Sequence, residues 1–500
     1  MKDKRKGARK DVTVSVSRVG RGAIHRRGQK DVNVSPSMLL RTMSLSNGVV
    51  RVGRGSGSSQ PAWHKKILNC SQIDILYLTL EEDMDIQPRS YDKAIKLIKK
   101  GVDIPNPLTI DLGDDVDIDR ISGKGVRIYP GCRIYGEHTV ISSGSQIGYE
   151  APATIDNCQL GPGVELRGGY FNRSVFLEKA NMGSGAQVRE ACILEEEANA
   201  AHCVGIKHTI LFPFVTLGSL INFCDCLMAG GTSRKDHSEV GSSYIHFNFT
   251  PDQDKTTASL IGDVPRGVML NQPAIFLGGQ GGIIGPLRMG YGNVVAANSV
   301  LRHDVLEDNR LIVGKAHAGK TINFRPRAYP NIRRIVENNI IYISNLMALE
   351  EWYIHVRRPF LETQEFGQLI FAGLLDKLAM AKKERVKRLK MLAEKAKVSP
   401  EHGEEIKTEV TGRNEFYDRF SEMEALFAAA IKDSGIEKSR DDFLSASANA
   451  REKKGADYIA IIQEFPARVS KKGTRWLQGI VDGYCERTKE IVPSLRLFGK

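Results

Sequence analysis

Aliphatic and aromatic residues in the middle of this chain recur at six-residue steps: Ile128, Ile134 and Val140; Phe176, Met182, Val188 and Leu194; Val215, Ile221 and Leu227. A period of six fits neither the 3.6-residue repeat of a helix nor the two-residue alternation of a long strand. An aliphatic residue also stands directly before glycine at Ile147-Gly148, Leu160-Gly161, Met182-Gly183, Val204-Gly205, Leu217-Gly218, Val240-Gly241, Ile261-Gly262, Ile284-Gly285 and Met289-Gly290. The two patterns together predict short strands joined by tight corners, with glycine supplying backbone angles that other residues resist. Stacked coils of this kind form a prism whose aliphatic residues ladder inward, a parallel β-helix. Interruptions at Cys158, Arg234 and Phe249 to Thr257 are expected to be loops leaving the coil.

Outside this rhythm the pattern changes. Residues 73–80 (IDILYLTL) read as a strand, and Tyr91 to Lys100 as a short amphipathic helix stopped by Gly101, Pro105 and Pro107. A small N-terminal α/β cap over 63–120 would cover the open first coil, as a repeat stack requires. The β-helix is expected over 121–315 and an α-helical C-terminal region over 316–500. In that region Ile332, Val336, Ile340, Ile343 and Met347 form one helical stripe, and Leu374, Leu378, Val386, Leu389 and Leu392 another. The fold class is therefore mainly β.

The formal charge of +12 resembles a nucleic-acid signal until it is divided along the chain. Residues 1–66 hold 16 Lys and Arg against 3 Asp and Glu, leaving 55 against 56 for the remainder. Residues 1–62 are expected to be a disordered basic tail, with too few large apolar side chains to offset ordering. The near-neutral body gives no reason to expect nucleic acid as a partner. The basic run Ala381 to Lys397 reads as a solvated helix face. No uninterrupted apolar run of secretory or membrane length is present, so a cytoplasmic protein with no membrane partner is expected. Six of the eight cysteines fall in the repeat, as small apolar fillers. Cys224 and Cys226 lack a second pair to complete a metal site, and no metal ligands are assigned.

The densest polar stretch is Gly230 to Lys255, GGTSRKDHSEVGSSYIHFNFTPDQDK. Gly230 and Gly231 open it; Arg234 and Lys235 supply cations for phosphate groups, and His237 and His246 are candidate general bases. A histidine titrates near working pH, so it can take a proton from an amine or hydroxyl attacking a thioester. On a strand Asp236 would point away from His237, which makes Glu239 its same-face partner. The stretch FLGGQGGIIG from Phe276 places Gln280 among glycines whose backbone amides could approach an anion.

The segment VGSSYIHFNFTPDQDKTTASLIGD from Val240 resembles the coil, loop and return of the left-handed β-helix hexapeptide acyltransferases. Within that family it is similar to the acetyltransferase half of the bifunctional N-acetylglucosamine-1-phosphate uridyltransferase/glucosamine-1-phosphate acetyltransferase enzymes. MGYGNVVAANSVLRHDV from Met289 is similar to the closing coil of the same family. The resemblance implies a left-handed hand for the coil, a homotrimer, and acetyl-CoA or another acyl-CoA as co-substrate. It implies a sugar phosphate or nucleotide sugar as acceptor. Asn248 matches the family asparagine that contacts acceptor and donor, and Lys255 a lysine near the sugar phosphate. The resemblance also implies coenzyme contacts at Ala296, Ala297 and Lys315. Phe249 replaces the family tyrosine, removing a hydroxyl from the acceptor loop. Residues 1–120 contain no G-x-G-T-x-M phosphate loop of the pyrophosphorylase half. Two other readings stay open: a sugar-nucleotide-binding or regulatory β-helix without catalysis, and a zinc-dependent hexapeptide protein that hydrates carbon dioxide using His202, His208, His237 and His246.

Overall fold

The computed structural model describes the strands at 41–46, 49–54 and 64–66, then residues 87–314, 319, 321, 323–324, 326–327, 329–397, 407–430, 432–454 and 457–499. The expected strand at 73–80, Lys315 and most of the tail over 1–62 lie outside these residues. The chain divides into two units, 1–86 and 87–500. In the first, Arg41–Ser46, Val49–Arg54 and His64–Lys66 form an antiparallel three-stranded sheet.

The second unit is built on the left-handed parallel β-helix expected from the repeat. Its strands stack into three parallel sheets. Face 1 carries ten strands from Arg127–Ile128 to Leu311–Ile312, and face 2 ten from Asp111–Leu112 to Val300–Leu301. Face 3 carries eight from Val140–Ile141 to Arg288–Met289, extended at its ends by single bridges of Ile121 and Val305. The chain runs face 1, face 2, face 3 and back.

The inward ladder of face 1 is Ile128, Ile147, Leu166, Met182, Ala200, Leu217, Val240, Leu277, Val295 and Ile312. Several of its members are the aliphatic halves of the aliphatic-glycine pairs. Gly148 (φ 89°) and Gly262 (φ 85°) supply the expected left-handed angle, whereas most of the others serve another purpose. Gly183, Gly218, Gly241 and Gly278 are not in the left-handed region; they sit where the next coil approaches. A Cβ at Gly241 would lie 2.4 Å from the Gly279 nitrogen, and one at Gly278 2.4 Å from the Ala297 nitrogen. The left-handed corner positions are mostly filled by other residues, stacked coil upon coil as Asn157, Arg173, Ala191, His208 and Asp225. Ladder steps on face 1 run 16 to 19 residues, but lengthen to 23 from Leu217 to Val240 and 37 from Val240 to Leu277. These long steps accommodate the excursions that carry the polar stretch.

Helix α1, Tyr91–Lys100, lies over the first coil with Ala94 and Leu97 buried. The Lys93 ammonium donates to the carbonyls of Gly113, Asp114 and Val116, satisfying acceptors that a coil end leaves open. A short helix, α2 (Val264–Gly267), leaves the coil before Phe276. The C-terminal region contributes α3 (Ile332–Trp352), α4 (Arg358–Leu361), α5 (Gly367–Ala396), α6 (Lys407–Asp418), α7 (Phe420–Ala428), α8 (Ser434–Lys454), α9 (Tyr458–Gln463) and α10 (Ala467–Ile491).

These helices cover face 3. Its outward ladder Val140, Gln159, Val175, Ile193, Ile210, Leu227 and Leu260 is largely apolar and wholly buried. Gly373 of α5 sits over it: a Cβ there would meet the Gln159 side chain at 2.4 Å. From Val140–Ile141 to Ser259–Ile261 the strands on this face are buried at every position, whereas strands on faces 1 and 2 alternate.

Buried ion pairs flank the covered face. At the corner between faces 2 and 3, Arg385 of α5 donates to Asp225 at 2.7 Å, both nearly inaccessible. At the corner between faces 3 and 1, Arg357 grips Glu196 through two bonds of 3.0 and 2.5 Å and stacks 3.8 Å from the Tyr458 ring. Glu195 beside it accepts from the Tyr353 hydroxyl at 2.5 Å. A π-helical turn, Tyr353–Arg357, follows α3 directly and carries both side chains. Burial in this cluster raises the Glu195 carboxyl well above the ordinary glutamate range.

The solvated-face reading of Ala381 to Lys397 holds for Lys383, Lys387, Lys390 and Lys397, which are exposed, and is corrected for the other basic residues. Arg385 is buried, Lys382 pairs with Glu350, Arg388 with Glu384, and Lys395 donates to the Asp252 carbonyl. Arg385→Met should cost about 3–5 kcal/mol, because it strands a buried carboxylate. Arg385 Nε and Nη1 have no partner among the described residues. The original pair is thus incompletely satisfied, and Asp225→Asn added to Arg385→Met should recover most of the loss in urea denaturation. Neutrality of the single change would show that the ion pair does not hold α5 on the coil.

Candidate functional site

The polar stretch occupies successive corners of one coil. The corner between faces 3 and 1 is drawn out into an antiparallel hairpin, Gly231–Ser233 with Asp236–His237. Gly230 (φ 100°) and Gly231 (φ 90°) open it in the left-handed region; a Cβ on Gly231 would lie 2.6 Å from the His237 Cα. Here glycine is required both by torsion and by space.

Arg234 anchors the hairpin. Its Nη1 donates to the carbonyls of Glu197 and Phe214 and to the Thr216 hydroxyl, at 2.7–3.0 Å. Lys235 is exposed at the tip. His237 is partly buried, and its Nδ1 lies 2.9 Å from the Arg234 carbonyl. A carbonyl only accepts, so Nδ1 carries the proton and Nε2 holds the lone pair. Glu239, the anticipated same-face partner, has a carboxylate oxygen 3.6 Å from that Nε2. Asp236 turns elsewhere and accepts from the Thr232 hydroxyl at 2.8 Å. Gln463 of α9 donates to the Thr232 carbonyl at 2.5 Å, tying the hairpin to the helical region.

His246 lies inside the prism. It occupies the inward ladder of face 2 between Phe223 and Ile283, is 1% exposed, and its Nε2 is 2.8 Å from the Ser259 hydroxyl. Burial pushes the imidazole down to about 4. Asn248 follows at the corner between faces 2 and 3, half-buried, and opens the expected loop. That loop is clamped by the helical region. Tyr329 donates to the buried Asp254 carboxylate at 3.0 Å, Asn339 donates to the Thr256 carbonyl at 3.0 Å, and Lys395 reaches the Asp252 carbonyl. Lys255 is half-buried with φ of 56°, its amide bonded to the Thr250 hydroxyl at 3.0 Å.

Gln280, Ala296 and Ala297 belong to the third corner, between faces 1 and 2. The amides of Gly278, Gln280 and Gly282 donate to Val295, Ser242 and Ser299 carbonyls, so they are committed to the ladder between coils. The glycines flanking Gln280 lie where a Cβ would strike backbone or a neighbouring ring, which makes the stretch a requirement of close stacking. Gln280 and Ala297 are exposed on the resulting flat edge.

One chain therefore distributes the candidate residues over three different corners: His237 and Glu239 near one, Gln280 and Ala297 on the second, Asn248 and Lys255 on the third. The four histidines are likewise dispersed. His202 is 3.0 Å from the Ser219 hydroxyl at an exposed corner, and His208 is buried on the Asp225 column. Among the described residues no group of three His, Cys, Asp or Glu is arranged to hold a metal ion. None of their helices is long and apolar enough to cross a membrane.

Against known proteins, the chain is 26% identical over 214 residues to the bifunctional protein GlmU of Thermotoga maritima, covering 43% of this chain and 42% of that one. It is 26% identical over 219 residues to GlmU of Acinetobacter baumannii, covering 43% and 42%, and 26% over 211 residues to GlmU of Staphylococcus haemolyticus, covering 42% and 41%. Together with the parallel β-helix, these likenesses decide the class. The coil is a hexapeptide-repeat, acetyltransferase-like region. The chain spans about two-fifths of the length of these curated relatives, and no family model matches it. Within the acetyltransferase-like coil, the ion pairs at Asp225, Glu195 and Glu196 escaped sequence reading. For the two glutamates a signal was present as LEEEAN at Leu194, three carboxylates at a corner that a free prism has no reason to crowd.

The buried histidines make stability pH-dependent. His208 and His246 are both pushed down to about 4, chiefly by burial, from an unfolded value near 6.5. The unfolded chain thus binds more protons below pH 6.5. Their contribution is present above that value and is lost progressively as pH falls through about 4. His246→Gln should reduce the slope of unfolding free energy against pH, between about 6 and 4.5, by about 1.4 kcal/mol per unit. An unchanged slope in denaturant titrations would contradict the buried neutral imidazole.

Proposed function

We propose that the protein transfers an acyl group, acetyl in the simplest case, from acyl-coenzyme A to an amine or hydroxyl of a sugar phosphate or nucleotide sugar. The observation that carries this reading is the His237 geometry on an acetyltransferase-like coil: Nδ1 is held by the Arg234 carbonyl, leaving Nε2 beside Glu239. In this reading Nε2 removes the proton from the acceptor as its nitrogen or oxygen bonds to the thioester carbon. The tetrahedral oxyanion takes a hydrogen bond from a backbone amide. Collapse breaks the carbon–sulfur bond, and the proton held on Nε2 passes to the departing thiolate. Glu239 accepts from Nε2–H while the ring is cationic. His246, enclosed in the prism, is assigned a structural part rather than the base.

Asn248 and Lys255 are proposed to position the acceptor, and Lys235 its phosphate. The flat edge of Gln280, Ala296 and Ala297 suits an extended coenzyme arm, to which we also assign Lys315. Arg234 acts here as a positioning residue, since its Nη1 already serves three acceptors.

Because the groups lie on three corners, the reading needs neighbouring copies to complete each site, and we propose the homotrimer. Its support is apolar surface on the last coils. Phe276, Val294 and Leu311 form an exposed outward ladder on face 1, and Ile245 and Val300 stand exposed on face 2. Earlier on face 1 the same row is Glu165, Asn181, Asn199 and Thr216. Exposed apolar rows of this kind mark association surfaces.

His237→Gln should lower kcat by about 10²–10⁴-fold with KM for the acceptor little changed, measured by thiol release from acetyl-coenzyme A. Undiminished turnover would sink the assignment. Phe276→Asp combined with Val294→Asp should convert the assembly to monomers in sedimentation velocity; an unchanged species would place the interface elsewhere.

A further inference from the structure

The hairpin that carries His237 is fastened through one guanidinium, and the groups that hold that guanidinium lead back to the helical region. Arg234 Nη1 sits in a cradle of two main-chain carbonyls, Glu197 at 3.0 Å and Phe214 at 2.7 Å, with the Thr216 hydroxyl at 3.0 Å. Glu197 (φ 56°) and Phe214 (φ 70°) occupy equivalent left-handed positions in successive coils, which lets one nitrogen reach both carbonyls. A cradle made of backbone has no rotamers of its own. It moves only if the corner moves.

That corner is set by Arg357. The Glu196 carboxylate takes two bonds from Arg357 at 3.0 and 2.5 Å, and the Glu196 carbonyl accepts from the Phe214 amide at 3.0 Å. Glu196 therefore joins both halves of the cradle, being peptide-bonded to Glu197 and hydrogen-bonded to Phe214. From the cradle the path runs through Arg234, whose own carbonyl holds the His237 Nδ1 at 2.9 Å.

A second route starts from the same guanidinium. Arg357 lies 3.8 Å from the centre of the Tyr458 ring, Tyr458 opens α9, and Gln463 at the other end of α9 donates to the Thr232 carbonyl at 2.5 Å. Thr232 and Arg234 flank Ser233, so the two routes converge on one hairpin. Stability alone gives little reason for this arrangement. Glu195 and Glu196 both lie within 4.0 Å of a guanidinium that is 1% exposed, and apolar side chains of similar volume commonly stabilise such a cluster as well or better. What a bidentate buried pair supplies, and apolar packing does not, is a fixed position.

We infer that Arg357 is a positioning residue for His237, fixing the Glu196–Glu197 corner and with it the Arg234 cradle and the direction of the imidazole. The kinetic half of this inference rests on the acyl-transfer reading; the positional half does not. Arg357→Lys keeps the charge and loses the bidentate grip, and Glu196→Gln keeps the shape and loses the charge, serving where the first fails to fold. With acetyl-coenzyme A and glucosamine 1-phosphate, either should lower kcat about tenfold and leave both KM values unchanged. Arg234→Lys should do the same, and Arg234→Lys/Arg357→Lys should be no slower than the slower single variant, because both act on one cradle. Effects that multiply in the double variant would reduce Arg357 to a structural residue and overturn the inference. Arg385→Met, which breaks the ion pair at the opposite corner, should leave kcat unchanged; an equal fall there would mean general loosening and would also overturn it. Hydrogen–deuterium exchange supplies a readout free of activity: amides over 231–238 should exchange about tenfold faster in Arg357→Lys and at the unaltered rate in Arg385→Met. A hairpin untouched by both Arg357→Lys and Glu196→Gln overturns the inference whether or not transfer is detected. A chain that transfers no acetyl group while its hairpin responds upholds the positional role and sinks the acyl-transfer reading alone.

Discussion

One face of the prism cannot be left in water. Val175, Ile193, Ile210, Leu227 and Leu260 point outward from face 3 and are each at most 3% exposed, because α5 and its neighbours lie across them. Burying such side chains is worth about 1.5–3 kcal/mol apiece, so the row outweighs any single polar contact in the chain. Apolar burial alone, however, is indifferent to small shifts along a ladder of similar residues. Arg385 on Asp225 and Arg357 on Glu196 sit at opposite corners of that face and fix the register. Both pairs involve residues about 160 positions apart, so they commit the helical region to one placement on the coil.

That placement reaches the polar stretch. The hairpin bearing His237 is tied to α9 through Gln463, and the loop bearing Lys255 is held from outside by Tyr329, Asn339 and Lys395. A loop hung only from short strands would be among the least stable parts of the molecule. Here both excursions border face 3, and the helices that cover that face also steady them. The C-terminal region is thus a structural determinant of the candidate site rather than an appendage.

The six-residue period was enough to locate the coil, because inward residues must be apolar whatever surrounds the prism. Ile332 to Met347 likewise announced α3, since a buried stripe recurs at helical spacing. Sequence reading failed where one residue type serves two purposes. Glycine after an aliphatic residue suggested a torsional need, yet at Gly241 and Gly278 the constraint is the backbone of the next coil. Arg385 stood among seven other basic residues and looked solvated; only its distant partner Asp225 distinguishes it. The outward ladder of face 3 was also readable in principle. Val175-Phe176, Ile193-Leu194, Ile210-Leu211 and Leu227-Met228 are apolar at both alternate positions, which a strand with one wet side avoids. His237 and Glu239 were paired by strand alternation; they do lie 3.6 Å apart, but across a break, His237 ending the hairpin and Glu239 opening the next face 1 strand.

Covering face 3 also constrains how copies can meet. The hairpin of His237 and the loop of Asn248 border this face at its two edges, while Gln280 and Ala297 occupy the opposite corner. A second chain cannot approach across face 3 without displacing α5, so only faces 1 and 2 remain for association. A site requiring both His237 and the Gln280–Ala297 edge must therefore take them from different copies, with face 1 or face 2 between. The exposed rows at Phe276, Val294 and Leu311 and at Ile245 and Val300 lie on these two faces, in the coils that follow the hairpin. For the proposed homotrimer, the helical layer and the apolar last coils thus favour the same arrangement: contact through the side of the prism that carries the flat edge.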